Sequence, residues 1–396
     1  MKRTLLDQIL SQPTSPFREG HVISLLTGVL EEAGVPHFQD PAGNLVLGVA
    51  NQKEYRSLLQ QKTDEPLRIF IAHMDHPGFH GESWTKSGSL QVKWHGGSPT
   101  ADLEGAKVWV ADRSGWQASG LFTHAVLHES GRMIVSGEVQ FDDASAAEIQ
   151  KRFPKGSEIF GGFGFRAPVW QEGDLLYTKA ADDLVGCFAI VSTALDLFGK
   201  KKGKKTAKNT SFLGLLTRAE EVGFIGAIAH LNLGWLDKTR RTLMAVSLET
   251  SRTLPGAEFG KGPVVRLGDR YTVFDAGKLR VFTELAEKVL PGKHQRRIMD
   301  GGSCEATAAT VFGIPAIGIS VPLGNYHNQC FEGGPDSRAA LGPAPEFVHL
   351  DDVQGLLELC KAILLPKQPW NRPWDKRHQD FRKSLKNYRA LLKSEP

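Results

Sequence analysis

Apolar runs that end in polar residues alternate along this chain with longer stretches of helical periodicity. The runs that indicate buried strands lie at 68–75, 211–221, 242–250 and 314–322. The helical patterns lie at 184–198, 224–236, 276–290, 305–313 and 352–365. Because strands that alternate with helices form sheets with helical connections, the pattern predicts an α/β fold. We expect a mixed, mainly parallel sheet that is covered by helices on both faces.

The segment 81–174 does not follow this alternation. It contains short alternating runs such as SLQVKWHG, AKVWVAD and GRMIVSGEVQF, which are separated by Gly, Ser and Asp. Short strands joined by turns are typical of a small barrel or sandwich. We therefore predict a discontinuous main domain of residues 1–80 and 175–366, an inserted β-barrel-like domain of residues 81–174, and a C-terminal tail of residues 367–396.

The formal net charge of +4 is unevenly distributed along the chain. The tail contains 9 Lys+Arg against 3 Asp+Glu, and the segment 199–208 contains six lysines. The remaining chain is slightly acidic, so we expect no nucleic-acid partner. The tail also places Phe381, Leu385, Tyr388 and Leu392 on one face of an amphipathic helix. That face could pack on the body, on a neighbouring subunit or on an anionic surface.

Cysteine usage and the N-terminus suggest where the protein resides. The 4 cysteines form no CxxC pair, so a cysteine-rich structural zinc site is not expected. The first residues lack the long apolar core and small-residue cleavage site of a secretion signal. We find no run of about 18 apolar residues, and so predict a cytoplasmic protein without a membrane span.

Acidic and imidazole side chains recur where the predicted strands end. Asp75, Glu220, Glu221, Glu249 and His327 fall at or just after strand ends, and His73 falls just inside one. In open α/β sheets, ligands bind at the carboxyl ends of the strands. Two imidazoles and several carboxylates are the groups that a pair of divalent metal ions requires to activate a water near neutral pH.

The individual roles follow from the chemistry of each group. His73 and His327 are predicted metal ligands, and Asp75 would orient His73 or a nearby group. The adjacent Glu220 and Glu221 are poor strand residues, so we predict that Glu221 binds metal and Glu220 is the general base. Each segment alone has a plain structural alternative, such as a loop histidine or a solvated acidic pair.

Two further carboxylates complete the predicted ligand set. Asp182 and Asp183 precede the helix at 184–198, where a simple N-cap is the alternative interpretation. A carboxylate has two oxygens, so Asp182 could lie between two metals while Asp183 caps the helix. Glu249 would be a terminal ligand. Gly302 and Glu305, before and at the start of another predicted helix, are weaker candidates for the substrate pocket, with Glu305 as a partner for a substrate amine.

Taken together, these motifs resemble those of the cytosolic bimetallic aminopeptidases, which include glutamyl aminopeptidase and the tetrahedral, self-compartmentalising aminopeptidases. The matching stretches are IAHMDHPGF, KAADDLVGC, TRAEEVGFIGA, AVSLET and GGSCEATAATVFGIPAIGISVPLGNYHN. The inserted domain lies between His73 and Asp182, as in that family, whereas related carboxypeptidases and deacylases usually carry their extra domain later. Four features depart from the family pattern: His76 replaces an acidic residue, Leu184 replaces an arginine, Glu249 stands where an aspartate is common, and the stretch before His327 lacks the usual arginine.

The resemblance implies a specific centre and activity. One metal would be held by His73, Asp182 and Glu249, and the other by Asp182, Glu221 and His327. The metals would be two divalent ions, zinc or cobalt, and the inserted domain would contribute to a homo-oligomer. The leading hypothesis is a metal-dependent aminopeptidase that hydrolyses peptides through a two-metal-bound water with Glu220 as base. A related dimetal deacylase or carboxypeptidase, or a non-catalytic binding protein on the same fold, remains as an alternative.

Overall fold

The computed structural model describes residues 1–199 and 211–393, so the predicted lysine-rich segment lies outside the described residues except for Gly199. The helices are α1 (Arg3–Leu10), α2 (Gly20–Ala33), α3 (Gln52–Leu59), α4 (Asp143–Arg152), α5 (Leu184–Phe198), α6 (Ile225–Leu231), α7 (Ala276–Val289), α8 (Glu305–Val311), α9 (Leu350–Ile363) and α10 (Asp375–Tyr388). The strands are β1 (His37–Gln39), β2 (Leu45–Leu47), β3 (Leu67–His73), β4 (Gly78–Trp84), β5 (Leu90–His95), β6 (Ala106–Ala111), β7 (Gln117–Leu127), β8 (Ile134–Gln140), β9 (Phe160–Phe163), β10 (Val169–Glu172), β11 (Leu175–Thr178), β12 (Phe212–Thr217), β13 (Leu243–Arg252), β14 (Val264–Asp269), β15 (Gln295–Met299), β16 (Ala316–Gly324) and β17 (Glu346–His349).

The main sheet confirms the predicted fold class. Its strand order is β1-β2-β12-β3-β13-β16-β17-β11-β10, with β14 and β15 joined to it through β16. The four central strands β12, β3, β13 and β16 are mutually parallel, whereas the outer pairs are mostly antiparallel. Helices cover both faces, and all seven residues of β3 are buried. A strand buried on both faces reads as the continuous apolar run seen in the sequence.

The inserted module is a closed antiparallel barrel of strands β4-β5-β8-β7-β6-β9. Its interior is a separate apolar core that includes Phe79, Trp94, Phe122 and Phe163. The barrel strands begin at Gly78 and end at Phe163, and β10 already pairs with β11 in the main sheet. The β-barrel-like character that alternation predicted is confirmed, while the domain limits at 81 and 174 stay a prediction.

The tail forms helix α10, which carries Phe381, Leu385 and Tyr388 as predicted, whereas Leu392 lies beyond its end in a separate short turn. Phe381 and Tyr388 are 64% and 62% exposed, and none of the helix's described side chains is buried. The described residues of the chain therefore do not cover this apolar face. No helix in the described ranges is long and apolar enough to cross a membrane.

Candidate active site

The candidate residues meet at one edge of the main sheet because their strands are neighbours. His73 is the last residue of β3, and Glu220 and Glu221 follow β12, its parallel neighbour. Glu249 lies within β13, on the other side of β3, and His327 follows β16 in a short turn. Parallel strands end at the same edge, so four distant chain segments converge there. Strand β13 continues to Arg252, two residues beyond its predicted end.

Two groups of potential metal ligands share one carboxylate. In the first cluster, defined as His73, Asp182 and Glu249, His73 Nε2 lies 3.4 Å from Asp182 Oδ1 and 3.5 Å from Glu249 Oε1. In the second cluster, defined as Asp182, Glu221 and His327, His327 Nε2 lies 3.7 Å from Asp182 Oδ2 and 3.0 Å from Glu221 Oε2. Each oxygen of Asp182 thus faces a different imidazole. A further grouping brings Glu220 beside His73 and Glu221.

Unpaired buried atoms on the cluster residues fit a cation. These atoms have no hydrogen-bond partner among the described residues: His73 Nε2, Glu221 Oε1, Glu249 Oε2 and His327 Nε2. Buried polar groups are nearly always satisfied, so several unpaired atoms on neighbouring residues indicate a partner such as a cation. Carboxylate oxygens and imidazole nitrogens are ligands that divalent metals such as zinc accept.

Burial and neighbouring charges shift the pKa values of the cluster residues in opposite directions. Burial alone would lower the pKa of His73, but the carboxylates of Glu220, Asp182 and Asp75 raise it well above its usual value. Burial would raise the pKa of Asp182, but the hydrogen bond and charge of His73 hold it at about 2. Burial, followed by the effects of nearby carboxylates, raises the pKa of Glu220 well above its ordinary range.

Asp75 and Asp183 hold the backbone around the clusters. The backbone N–H groups of Glu220 and Glu221 donate to Asp75 Oδ1 and Oδ2, at 2.9 and 3.1 Å. His73 Nδ1 lies 3.1 Å from the Asp75 carbonyl oxygen, an arrangement that leaves Nε2 free to accept a metal. Asp183 Oδ1 accepts from the Gly186 N–H and caps α5, as predicted.

Glu346, which our sequence analysis did not select, links the chain segments that carry Asp182 and His327. Its fully buried carboxylate accepts from the backbone N–H groups of Ala181 (2.7 Å), Asp182 (3.2 Å) and His327 (2.9 Å). The only signal in the sequence is a glutamate that begins the apolar segment EFVHL. A buried carboxylate must be paired or heavily hydrogen-bonded, but the sequence does not say with which partner.

His76, one of the departures from the family pattern, also contacts the segments around the second cluster. Its Nδ1 lies 2.9 Å from the Asp182 carbonyl oxygen and its Nε2 lies 3.1 Å from Asn328 Oδ1. Burial lowers the pKa of His76 to about 4. The side chain therefore connects the residue that both clusters share to the turn that carries His327.

The turn backbones beside the clusters are unusual. Four non-glycine residues there adopt left-handed conformations: Ala219 (φ 51°), Asn325 (φ 53°), His327 (φ 56°) and Asn328 (φ 57°). This conformation costs a non-glycine residue about 1 kcal/mol or more. It persists where surrounding contacts impose it, such as the hydrogen bonds from the Asn325 side chain to the carbonyl groups of Gly333 and Pro345.

A cavity of about 240 Å³ opens beside the clusters and has a positively charged lining. Arg132, Arg252 and Arg266 line it, and Glu249 is the one carboxylate among its described lining residues. Arg266 is buried, with Nη1 lying 3.7 Å from Glu249 Oε2, and the Arg252 guanidinium stacks 3.6 Å from the Phe331 ring centre. Such a lining favours an anionic group.

The structure separates the two weaker pocket candidates. Gly302 lines the cavity. Glu305 does not, because α8 turns its side chain into the interior, where it is 0% exposed and Oε1 accepts from Thr217 Oγ1 at 2.7 Å. Its position gives no support to the predicted contact with a substrate amine.

The protein thus has an α/β sheet with groups of potential metal ligands at its carboxyl edge and a barrel inserted between the residues of those groups. Residues 56–331 match the family model described as M42 glutamyl aminopeptidase. The chain belongs to this family of peptidases. A comparison with curated proteins gives no significant match.

Solved structures agree with this fold. An aminopeptidase from the archaeon Desulfurococcus kamchatkensis matches with a TM-score of 0.69 at 20% identity, covering 93% of this chain and 96% of that one. A TET aminopeptidase from a Thaumarchaeota archaeon matches with 0.69 at 18% identity, covering 92% and 97%. The Pyrococcus horikoshii TET1 peptidase, described as assembling into a tetrahedron or a large octahedral shell, matches with 0.66 at 20% identity, covering 92% and 99%.

Proposed function

We propose that this protein is a two-metal aminopeptidase that removes N-terminal residues from peptides. The observation that carries the proposal is the position of Asp182, whose two oxygens lie 3.4 and 3.7 Å from the imidazoles of His73 and His327. A carboxylate between two imidazole-containing clusters suits a pair of divalent ions. Membership of the M42 family supports the peptidase activity.

The first cluster would hold one ion and the second cluster the other. The mixture of imidazole and carboxylate ligands suits zinc or cobalt. When bound, the two ions would lower the pKa of a water and polarise the scissile carbonyl group. The remaining chemistry depends on the chain's own residues.

Glu220 is the proposed general base. Its Oε2 lies 3.9 Å from His73 Nε2, so its carboxylate borders the first cluster while Asp75 holds its backbone. Burial and the neighbouring carboxylates raise its pKa above that of an ordinary glutamate, which is the direction that a general base needs to accept and then return a proton. Glu220 would take a proton from the attacking water and deliver it to the leaving amine.

Two substitutions test these assignments. Glu220→Gln should lower kcat by about 100- to 10,000-fold while the protein keeps two metal equivalents. Asp182→Ala should lose metal at both clusters, because both use its carboxylate. Metal analysis and steady-state kinetics measure the two effects. A Glu220→Gln variant of normal activity would refute the role of Glu220, and an unchanged metal content in Asp182→Ala would refute the bridging assignment.

The cavity extends the proposal to the side chain of the cleaved residue. Arg132, Arg252 and Arg266 outnumber Glu249, the one carboxylate among the described lining residues, so we propose a preference for N-terminal glutamate or aspartate. The description of the family as glutamyl aminopeptidase agrees with this preference. In the Arg252→Leu variant, kcat/KM for a glutamyl anilide should fall about tenfold, while kcat/KM for a leucyl anilide stays within threefold. Arg296→Leu, an exposed arginine outside the cavity, is the matched control.

A substrate panel separates the alternatives. Unblocked aminoacyl anilides and short peptides are compared with N-acetylated versions, with and without chelator. Cleavage of the unblocked set alone, abolished by chelator, supports an aminopeptidase. Cleavage of the acetylated set would indicate a deacylase or carboxypeptidase, and metal binding without any cleavage would indicate a binding protein.

Assembly and location remain part of the proposal. The assembly named for the Pyrococcus horikoshii TET1 peptidase supports a homo-oligomer here, in which the inserted barrel would take part. Peptide substrates and a cytoplasmic location are consistent with this activity.

A further inference from the structure

A loop of the inserted barrel lies against one of the two ligand clusters. This loop, residues 96–100, follows β5 and is here called the barrel loop. It begins with Gly96 and Gly97, and both glycines approach ligands of the second cluster. The sequence indicates only a turn at this point.

Gly97 has no room for a side chain because the His327 ring occupies that space. A methyl group at Gly97 would overlap His327 Nδ1 outright and would lie 2.8 and 2.9 Å from the ring carbons Cε1 and Cγ. Ordinary carbon contacts are about 3.5–4.0 Å. The barrel loop backbone therefore lies directly against the imidazole and limits where its ring can stand.

Gly96 makes the corresponding approach to Glu221. Its backbone has φ +87°, a conformation that suits glycine, and an added Cβ would lie 3.3 Å from the Cβ of Glu221 and 3.2 Å from Pro77. The two glycines thus pack against both ligands of the second cluster that are not shared with the first cluster.

The barrel loop is fastened on both sides. Trp94 Nε1 donates to the Gly97 carbonyl oxygen at 3.0 Å, and the Ile134 N–H donates to Ser98 Oγ at 2.7 Å, which fix the loop to the barrel. The Thr100 N–H donates to the Leu341 carbonyl oxygen at 2.9 Å, which fixes it to the main domain. Because these hydrogen bonds hold the loop in place, its backbone restricts where the side chains that it contacts can lie.

The residues of the first cluster are held by different parts of the structure. His73 and Glu249 are carried by the adjacent central strands β3 and β13, and Asp182 Oδ1 accepts from Thr250 Oγ1 at 3.2 Å. These supports belong to the main sheet. The second cluster combines main-domain ligands with a wall supplied by the barrel.

We propose that the barrel loop sets the position of His327 and Glu221, so that Gly97 is a positioning residue for the second metal site alone. The two sites then differ in what holds their ligands: the main domain alone holds those of the first site, whereas the second site also depends on the inserted barrel. This inference rests on the proposed two-metal function.

The test is Gly97→Ala, with metal binding as the readout. The added methyl group would displace the His327 ring by about an ångström, beyond the roughly 0.2 Å that metal–ligand distances tolerate. Titration of the metal-free protein with Zn²⁺ should show one site within threefold of wild-type affinity and the other weakened at least about 100-fold. Gly28→Ala is the control, because an added Cβ there meets nothing within 4 Å.

A milder variant guards against misfolding. Trp94→Phe removes the hydrogen bond to the Gly97 carbonyl oxygen but keeps an aromatic ring in the barrel core. It should weaken the same site about tenfold, with circular dichroism and the melting temperature of the metal-free protein reporting on the fold. If Gly97→Ala does not fold, the Zn²⁺ affinities of Trp94→Phe test the role of the barrel loop instead.

The possible failures can be told apart. A wild-type protein that binds fewer than two Zn²⁺ ions would overturn the proposed function. A wild-type protein with two sites, together with folded variants whose two affinities are unchanged or fall equally, would overturn the role of the barrel loop and leave the two-metal proposal standing.

Discussion

Asp75 offers a sharp test because its carboxylate touches the ligand framework only through hydrogen bonds. The Asp75→Asn substitution keeps the shape of the side chain but replaces one acceptor oxygen by an NH₂ group. One of the N–H groups of Glu220 and Glu221, now 2.9 and 3.1 Å from an oxygen, would then face another donor. A hydrogen bond to a charged group contributes about 1.5–3 kcal/mol. At about 1.4 kcal/mol per factor of ten, its loss corresponds to a change of roughly 10- to 150-fold.

We expect that change in kcat, because the displaced backbone carries the proposed base Glu220. Steady-state kinetics on an unblocked substrate, at saturating Zn²⁺, separates the loss in kcat from any loss of metal. Asp300→Asn, an exposed carboxylate with 64% side-chain accessibility, is the control. If Asp75→Asn retained kcat within twofold and its melting temperature were unchanged, the view that these two hydrogen bonds hold the Glu220 backbone in place would be wrong.

Three further predictions concern stability, proton linkage and the tail. Asp40→Ala should destabilise the fold by about 3–5 kcal/mol, because the buried Asp40 accepts from His230 Nδ1 at 2.8 Å; urea denaturation measures it. Burial would raise the pKa of Asp40, but hydrogen bonds from His230 and Asn44 lower it overall. The stability that ionised Asp40 contributes should therefore be fully present above the unfolded pKa of about 4. It should be lost as the pH falls through the lower folded pKa. Metal binding should release protons and tighten as pH rises, since His73 has a raised pKa in the metal-free clusters; calorimetry in two buffers of different ionisation enthalpy reports the protons, and equal heats would contradict it. Removing residues 375–396 should leave the melting temperature and kcat unchanged, because no described side chain of α10 is buried, and a fall in assembly mass by light scattering would show that the tail docks on a neighbouring copy.

The central strands could be predicted from the sequence because each is buried on both faces. Continuous burial produces an apolar run, and the polar residue that ends the run marks the sheet edge. The order of β12, β3, β13 and β16 as direct neighbours explains why Glu221, His73, Glu249 and His327 converge. The sequence could therefore place residues 73, 249 and 327 at one edge of the sheet, but it could not show that their strands are neighbours.

Long-range contacts explain what the sequence did not reveal. Glu346 lies on the antiparallel strand β17, and its importance comes from N–H groups at Ala181, Asp182 and His327 that are far away along the chain. Glu305 was expected in the pocket because it follows Gly302, but the direction of α8 buries it beside Thr217. Sequence periodicity gives the faces of an element and not its rotation against neighbours.

The route of the chain gives the barrel its close relation to the candidate site. The chain leaves the main sheet after His73 and enters the barrel at Gly78, so residues 74–77 alone separate a proposed ligand from the first barrel strand. It returns through β10 and β11, and Asp182 follows β11 closely. Both crossings therefore lie at the carboxyl edge of the sheet, where the ligands are. A module joined at this edge lies beside the clusters, and its loop at Gly97 contacts His327 of the second cluster. An insertion at the other edge of the sheet would have neither connection, so the point of insertion is what makes the barrel part of the proposed metal centre.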